Sequence, residues 1–154
     1  MTTNSFNLAT LAFVSGVSGI LLGLAVRHKT NEIKYFNTSL RASAMVIHND
    51  TVYLSGQVGK INQESQALDG DIQQQTRETL DKIDKLLAEA GTDKTKILST
   101  QIWLKDIKND FAPMNEIWNN YMKSCGDTKT VRACVESAMA RPSILVEIQV
   151  VATL

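Results

Sequence analysis

An α+β domain, with two helices laid on one face of a β-sheet, is the fold class the sequence predicts for residues 44–154. Three observations carry this: short β-type runs near both ends of the stretch, a long amphipathic helical period over residues 71–90, and a second helical segment after a strand-like run at 97–104. The resulting order is ββαβαββ. One domain is also what 154 residues allow, because two separate cores need a longer chain.

The chain opens with an appendage, residues 1–29, built around an uncharged apolar stretch at 8–26. As a helix rising about 1.5 Å per residue, that stretch just spans a bilayer core of about 30 Å and is a transmembrane candidate. Arg27, His28 and Lys29 follow it and nothing basic precedes it. The positive-inside bias then places the body in the cytoplasm, or in the mitochondrial matrix of an organellar protein. A cleaved signal or targeting segment is the alternative, since Gly23-Leu24-Ala25 has a small-x-small pattern, but no basic n-region is present. Ser15, Gly19 and Gly23 recur every fourth residue, a spacing that lets helix backbones approach closely in a membrane. Residues 30–43, polar and irregular, read as a linker or entry segment.

The body starts with β-type runs at 44–48 and 51–55, joined by Asn49-Asp50, a pair suited to a tight hairpin turn. Gly56 and Gly59 lead into a polar loop lasting to about Asp69. Ile72, Thr76, Leu80, Ile83, Leu87 and Ala90 then recur at three- and four-residue steps, with Asp69 or Asp71 at the start and Gly91 beyond the end. Residues 97–104 read as a strand. Asp110 can cap a second helix presenting Phe111, Met114, Trp118 and Tyr121 on one side, with Pro113 in its first turn. Residues 131–138 and 144–152 close the domain as two strands around a short loop holding Pro142.

Composition narrows the function. Sixteen basic and sixteen acidic residues balance, but every acid lies at or after Glu32, which leaves residues 32–154 at −2. No basic surplus advertises nucleic-acid binding. Two cysteines and two histidines offer neither a zinc-ligand spacing nor a disulfide framework, and reduced thiols fit a reducing compartment. A Gly-x-Ser-x-Gly elbow and a phosphate-binding glycine loop are both absent.

Arg132, Cys134 and Glu136 alternate along one strand and project to a common face. A four-residue loop between the last two strands would put Arg132 and Glu147 on the same face; a five-residue loop would separate them. An arginine in a semi-apolar strand suits a planar carboxylate, which it grips with two parallel hydrogen bonds. A nearby carboxylate can position or deprotonate a water. The competing reading is an Arg–Glu pair that satisfies only itself. Cys134 beside a cation reads as a small buried residue rather than a nucleophile, because no histidine is tied to it by spacing.

Five segments, taken in order, resemble the reactive intermediate deaminase (Rid) family, also called the YjgF family. They are Tyr-Leu-Ser-Gly-Gln-Val at 53–58, Gln-Thr-Arg-Glu-Thr-Leu-Asp-Lys-Ile-Asp-Lys-Leu-Leu-Ala-Glu-Ala-Gly at 75–91, Asp-Phe-Ala-Pro-Met-Asn at 110–115, Arg-Ala-Cys-Val-Glu at 132–136 and Val-Glu-Ile at 146–148. The resemblance implies a chorismate-mutase-like α+β fold assembled as a homotrimer, with ligand clefts between subunits. It implies hydrolytic deamination of reactive 2-imino and enamine acids, of the 2-aminoacrylate and 2-iminopropanoate type, to 2-oxo acids and ammonia without a cofactor or metal. The corresponding enzyme class is a 2-iminobutanoate/2-iminopropanoate deaminase-type hydrolase.

Carried over by residue, Arg132 looks like the arginine that holds the substrate carboxylate and Glu147 like the acid that orients water. Ser55, Gly56, Asn115 and Cys134 look like the remaining pocket wall. The chain departs from the deaminating members at three places: no tyrosine stands near 40–44, Thr130-Val131 precedes the arginine, and Met139-Ala140-Arg141-Pro142 lengthens a turn. These features resemble divergent subgroups. They motivate the alternative expectation of a non-catalytic carboxylate-binding or accessory subunit of a membrane complex. Ribonuclease activity, attributed to some relatives, suits a body of net −2 poorly.

Overall fold

The computed structural model describes residues 32–126 and 129–154. Six strands form one sheet: β1 (Ile33–Thr38), β2 (Ser43–His48), β3 (Thr51–Leu54), β4 (Ile97–Leu104), β5 (Val131–Glu136) and β6 (Val146–Thr153). Two helices, α1 (Ile72–Glu89) and α2 (Ile107–Lys123), complete it, with one short 3-10 turn at Lys94–Lys96. The transmembrane candidate at 8–26 lies outside the described residues. Among those described, no helix is long and apolar enough to cross a membrane.

The expected ββαβαββ order gains a strand at its start. β1 occupies the stretch read as a linker and pairs antiparallel with β2, Tyr35 opposite Val46. It is an edge strand exposed along most of its length, so no hydrophobic alternation marks it in the sequence. What identifies it is the branched and aromatic content of Ile33, Tyr35 and Phe36.

The strand order is β1-β2-β3-β6-β4-β5. β6 runs antiparallel to both β3 and β4, so β3 and β4 are parallel to each other, and β5 is parallel to β4. The chain therefore makes two successive crossovers in the same direction, β3-α1-β4 and β4-α2-β5. Crossovers of this type share one hand, and two in succession put both helices on the same face. The helices meet there: Tyr121 Oη donates to Asp84 Oδ1 at 2.6 Å, and Gln73 Nε2 to Glu116 Oε2 at 2.7 Å. Burial and the carboxylate beside it hold the Tyr121 hydroxyl well above the usual phenol range.

The expected hairpin between the last two strands does not form, because β4 stands between them. β5 follows a crossover helix and takes the edge beyond β4. β6 instead fills the gap that the first crossover leaves between β3 and β4.

Helix α1 begins at the expected Asp71, whose side chain accepts from the Gln74 N–H, and ends before Gly91, whose φ of 82° favours glycine. Helix α2 starts earlier than expected. Asp106, not Asp110, is its cap, accepting from the Asn109 backbone at 3.1 Å and from the Asn109 side chain at 2.6 Å. Those bonds hold the Asp106 carboxyl below the usual range. Pro113 consequently falls inside the helix rather than in its first turn, so the Asn109 carbonyl lacks its helical donor. Met114, Trp118 and Met122 are the buried face of α2, while Phe111 is exposed and Tyr121 turns toward α1.

The core lies between the helices and one face of the sheet, where Met45, Val52, Leu54, Ile83, Leu87, Ile102, Leu104, Met114 and Ile148 are fully enclosed. Among the buried polar side chains, one ties the core to the loop before β6. Gln75, 1% exposed, donates to the Ser143 carbonyl at 3.0 Å and accepts from the Leu145 N–H at 3.0 Å, fixing the entry to β6 against α1.

Candidate functional site

Arg132 lies in edge strand β5 opposite Thr100 of β4, on the sheet face that carries the helices. Its Nη1 donates to Asn115 Oδ1 at 2.7 Å, and its guanidinium lies 5.3 Å from the centre of the Trp118 ring. Asn115 is itself fixed, since its Nδ2 donates to the Phe111 carbonyl at 2.8 Å. Asn115 follows Phe111 by four positions and Trp118 follows Asn115 by three, so one face of α2 supplies the whole cradle. Cys134 is next on the same face of β5, half-buried. Burial pushes its thiol up, opposed by the Arg132 charge, so it stays protonated at neutral pH. Among the described residues, no carboxylate pairs with Arg132.

Glu147 lies elsewhere. It pairs with Trp103 of β4, while Arg132 pairs with Thr100. Three positions along β4 separate these registers, and an odd separation means opposite faces. The condition left open by loop length is thus settled by strand order: Arg132 and Glu147 of one chain do not share a face. This also removes the reading of a self-satisfying Arg132–Glu147 pair within the chain.

Around Glu147 the geometry is tight. A Cβ at Gly56 would overlap Glu147 Oε1, so Gly56 backs directly onto the carboxylate. The segment is pinned by Gln57, which exchanges both backbone hydrogen bonds with Ile148, at 2.8 and 2.9 Å. The Gln57 side chain, 4% exposed, donates to Ser55 Oγ at 3.0 Å and to the Ser55 carbonyl at 2.9 Å. Ser55 Oγ in turn donates to the Ala44 carbonyl at 3.3 Å. The expected site residues therefore fall into two groups: Arg132, Asn115 and Cys134 on the helix side of β5, and Ser55, Gly56 and Glu147 around the junction of β3 and β6.

Sequence reasoning missed Gln57, Gln75 and the supporting part of Trp118. For Gln57 the available signal was a glutamine inside an otherwise apolar or small-residue run; Gln75, last of three consecutive glutamines, was marked only by its place three residues after Ile72 on the buried side of the helical period. Among the described residues, no cluster of histidine, cysteine, aspartate and glutamate could hold a metal ion.

The face of the sheet away from the helices carries Glu147 and mixes exposed apolar side chains with polar ones. Tyr35, Val46, Tyr53, Val151, Ser99 and Val131 lie in one row across it, Gln149, Gln101 and Ala133 in the next, and Glu147, Trp103 and Val135 in the row beyond. Val131 is 69% and Tyr35 61% exposed, one at each edge of the sheet.

Comparison with known proteins agrees with this architecture. Residues 33–154 match the family described as endoribonuclease L-PSP. A RutC family protein of Haemophilus influenzae is 40% identical over 115 residues, covering 75% of this chain and 92% of that one. The human 2-iminobutanoate/2-iminopropanoate deaminase is 33% identical over 110 residues, 71% of this chain and 77% of the human protein. Among solved structures, a YjgF family member from Neisseria meningitidis superposes with a TM-score of 0.72 at 36% identity, covering 80% of this chain and 95% of that one. By sequence and by fold alike, the chain belongs to the endoribonuclease L-PSP family, the YjgF/RutC family of these relatives.

Proposed function

We propose that the protein hydrolyses short 2-imino acids to 2-oxo acids and ammonia, at sites completed between copies of the chain in a homotrimer. The observation that carries this is the Arg132 cradle: a guanidinium held by Asn115 and Trp118, with no carboxylate of the described chain opposing it. Such a group is prepared for an external carboxylate, which it would take through its remaining N–H donors. A family that includes a named 2-imino acid deaminase supports the reading and does not favour the non-catalytic alternative.

The chemistry is an addition followed by an elimination. Water adds to the imine carbon while Glu147 takes one of its protons and passes it to the imine nitrogen, giving a carbinolamine; the hydroxyl proton then reaches the nitrogen by the same carboxylate as the carbon–nitrogen bond breaks, leaving a carbonyl and ammonia. No electrons are transferred and no cofactor is required by the balance. Arg132 fixes the substrate carboxylate and so aligns the imine carbon with the water.

Because Arg132 and Glu147 face opposite ways within one chain, a second copy must bring the Glu147 group to the Arg132 cradle. The helix-free face that carries Glu147, with Tyr35, Tyr53, Val131 and Val135 exposed on it, is the surface available for that packing. Closure by rotation into a three-membered ring fits the resemblance noted from the sequence.

The test is the rate of 2-oxo acid release from freshly generated 2-iminopropanoate. The wild-type protein should accelerate it, and Arg132→Ala should remove at least about 100-fold of that acceleration without changing the oligomer. Equal rates for the two proteins would overturn the assignment.

A further inference from the structure

Gln57 is buried, and the polarity of each bond made by its amide nitrogen is decided by chemistry. Its Nε2 lies 2.9 Å from the Ser55 carbonyl and 3.0 Å from Ser55 Oγ. A carbonyl oxygen only accepts, so the amide must turn its nitrogen this way, and an amide nitrogen only donates. The Ser55 hydroxyl is thereby the acceptor in one bond. On its other side stands the Ala44 carbonyl at 3.3 Å, which also only accepts, so the hydroxyl proton goes there. One lone pair is left. Ser55 therefore has no proton to offer a ligand and can only accept from one. Its N–H donates to the same Ala44 carbonyl at 3.0 Å, which extends the pairing of β2 with β3 by one residue. Alternation from Tyr53 then puts Ser55 on the helix-free face, next to Gly56 and the Glu147 carboxylate behind it.

We propose that Gln57 is a positioning residue that fixes the Ser55 hydroxyl as an acceptor for the substrate's nitrogen, so that the site prefers a 2-imino acid to the 2-oxo acid it becomes. The proposal rests on the assignment of Arg132 to the substrate carboxylate and of Glu147 to the water. Water attacks beside Glu147, and Ser55 adjoins the glycine that backs onto that carboxylate. An imine nitrogen carries hydrogen and gains more on the way to ammonia, so an acceptor beside it binds progressively better as the reaction advances. The carbonyl oxygen of the product carries none. Set against a hydroxyl whose proton is committed elsewhere, it meets lone pair with lone pair, and the product is disfavoured. Without the Gln57 donor, only the 3.3 Å bond to Ala44 orients the hydroxyl, and its proton is free to swing to the product.

The test follows substrate and product in the full-length protein. Gln57→Met keeps the length of the side chain and loses its donor. In this variant kcat/KM for freshly generated 2-iminobutanoate should fall about tenfold, while the Ki of 2-oxobutanoate also falls by about the same factor. Poorer use of the substrate with a tighter hold on the product is a split that loosened packing does not produce, since it weakens both. An unchanged kcat/KM, or a Ki that rises or stays put, would overturn the proposal. Ser55→Ala removes the acceptor at a half-buried position and should lower kcat/KM about tenfold without raising the Ki. An unchanged kcat/KM here, or a Ki raised in step with the loss, would overturn the proposal even where Gln57→Met does not fold. If the wild type hydrolyses neither 2-iminobutanoate nor 2-iminopropanoate, the deaminase reading fails, and calorimetry with 2-oxobutanoate still decides the polarity of the hydroxyl. Tighter binding to Gln57→Met than to the wild type would retain it; equal or weaker binding would discard it.

Discussion

Gly56 is held at its position by a neighbour rather than by its own backbone, since any side chain there would collide with the Glu147 carboxylate. Gly56→Ala should therefore displace Glu147 while leaving the Gln57–Ile148 bridge in place. A drop in kcat of the order of 100-fold, with a nearly unchanged melting temperature, is the expected result. A parallel loss of folding would reduce Gly56 to a packing residue. At this scale the sequence was informative about chemistry and poor about company. The suitability of Arg132 for a carboxylate follows from its side chain and its semi-apolar strand. Its partner Asn115 sits seventeen residues away on another element, and no local spacing links them; only the resemblance to a family did. Whether Glu147 shared its face depended on a strand inserted between them, which loop arithmetic could not reveal.

Elements were legible in proportion to how one-sided their burial is. Helix α1 and strand β4 each bury one clear face, and the pattern of their apolar residues fixed both ends to within a residue or two. β1 is exposed along most of its length and left no pattern. The cap of α2 was misplaced because Asp106 and Asp110 both satisfy the local rule; the Asn109 side chain, which bonds Asp106, decides between them. Gln75 is the polar tie between α1 and the segment entering β6. Gln75→Leu would strand the Leu145 N–H and the Ser143 carbonyl inside the protein, and should destabilise it by roughly 3 kcal/mol in a denaturant titration. A cost below about 1 kcal/mol would mean that this segment is held by other contacts.

For the whole molecule, the division of the site between opposite faces makes a prediction that no single chain can satisfy. Arg132→Ala and Glu147→Gln should each be inactive alone. Unfolded and refolded together in equal amounts, they should recover roughly a quarter of wild-type sites, because a wild-type Arg132 and a wild-type Glu147 from different copies then meet by chance. Recovery at background level would place both groups in one chain's own site and refute the shared arrangement. The position of β6 has a consequence of another kind. The last strand of the chain is a central strand of the sheet, bonded to β3 on one side and β4 on the other. A nascent chain that has reached only Pro142 holds two unjoined fragments, a three-stranded ribbon and a parallel pair, each with an unpaired edge where β6 belongs. The domain therefore cannot close until β6 is available, and a chain cut before Val146 leaves both of these edges unpaired.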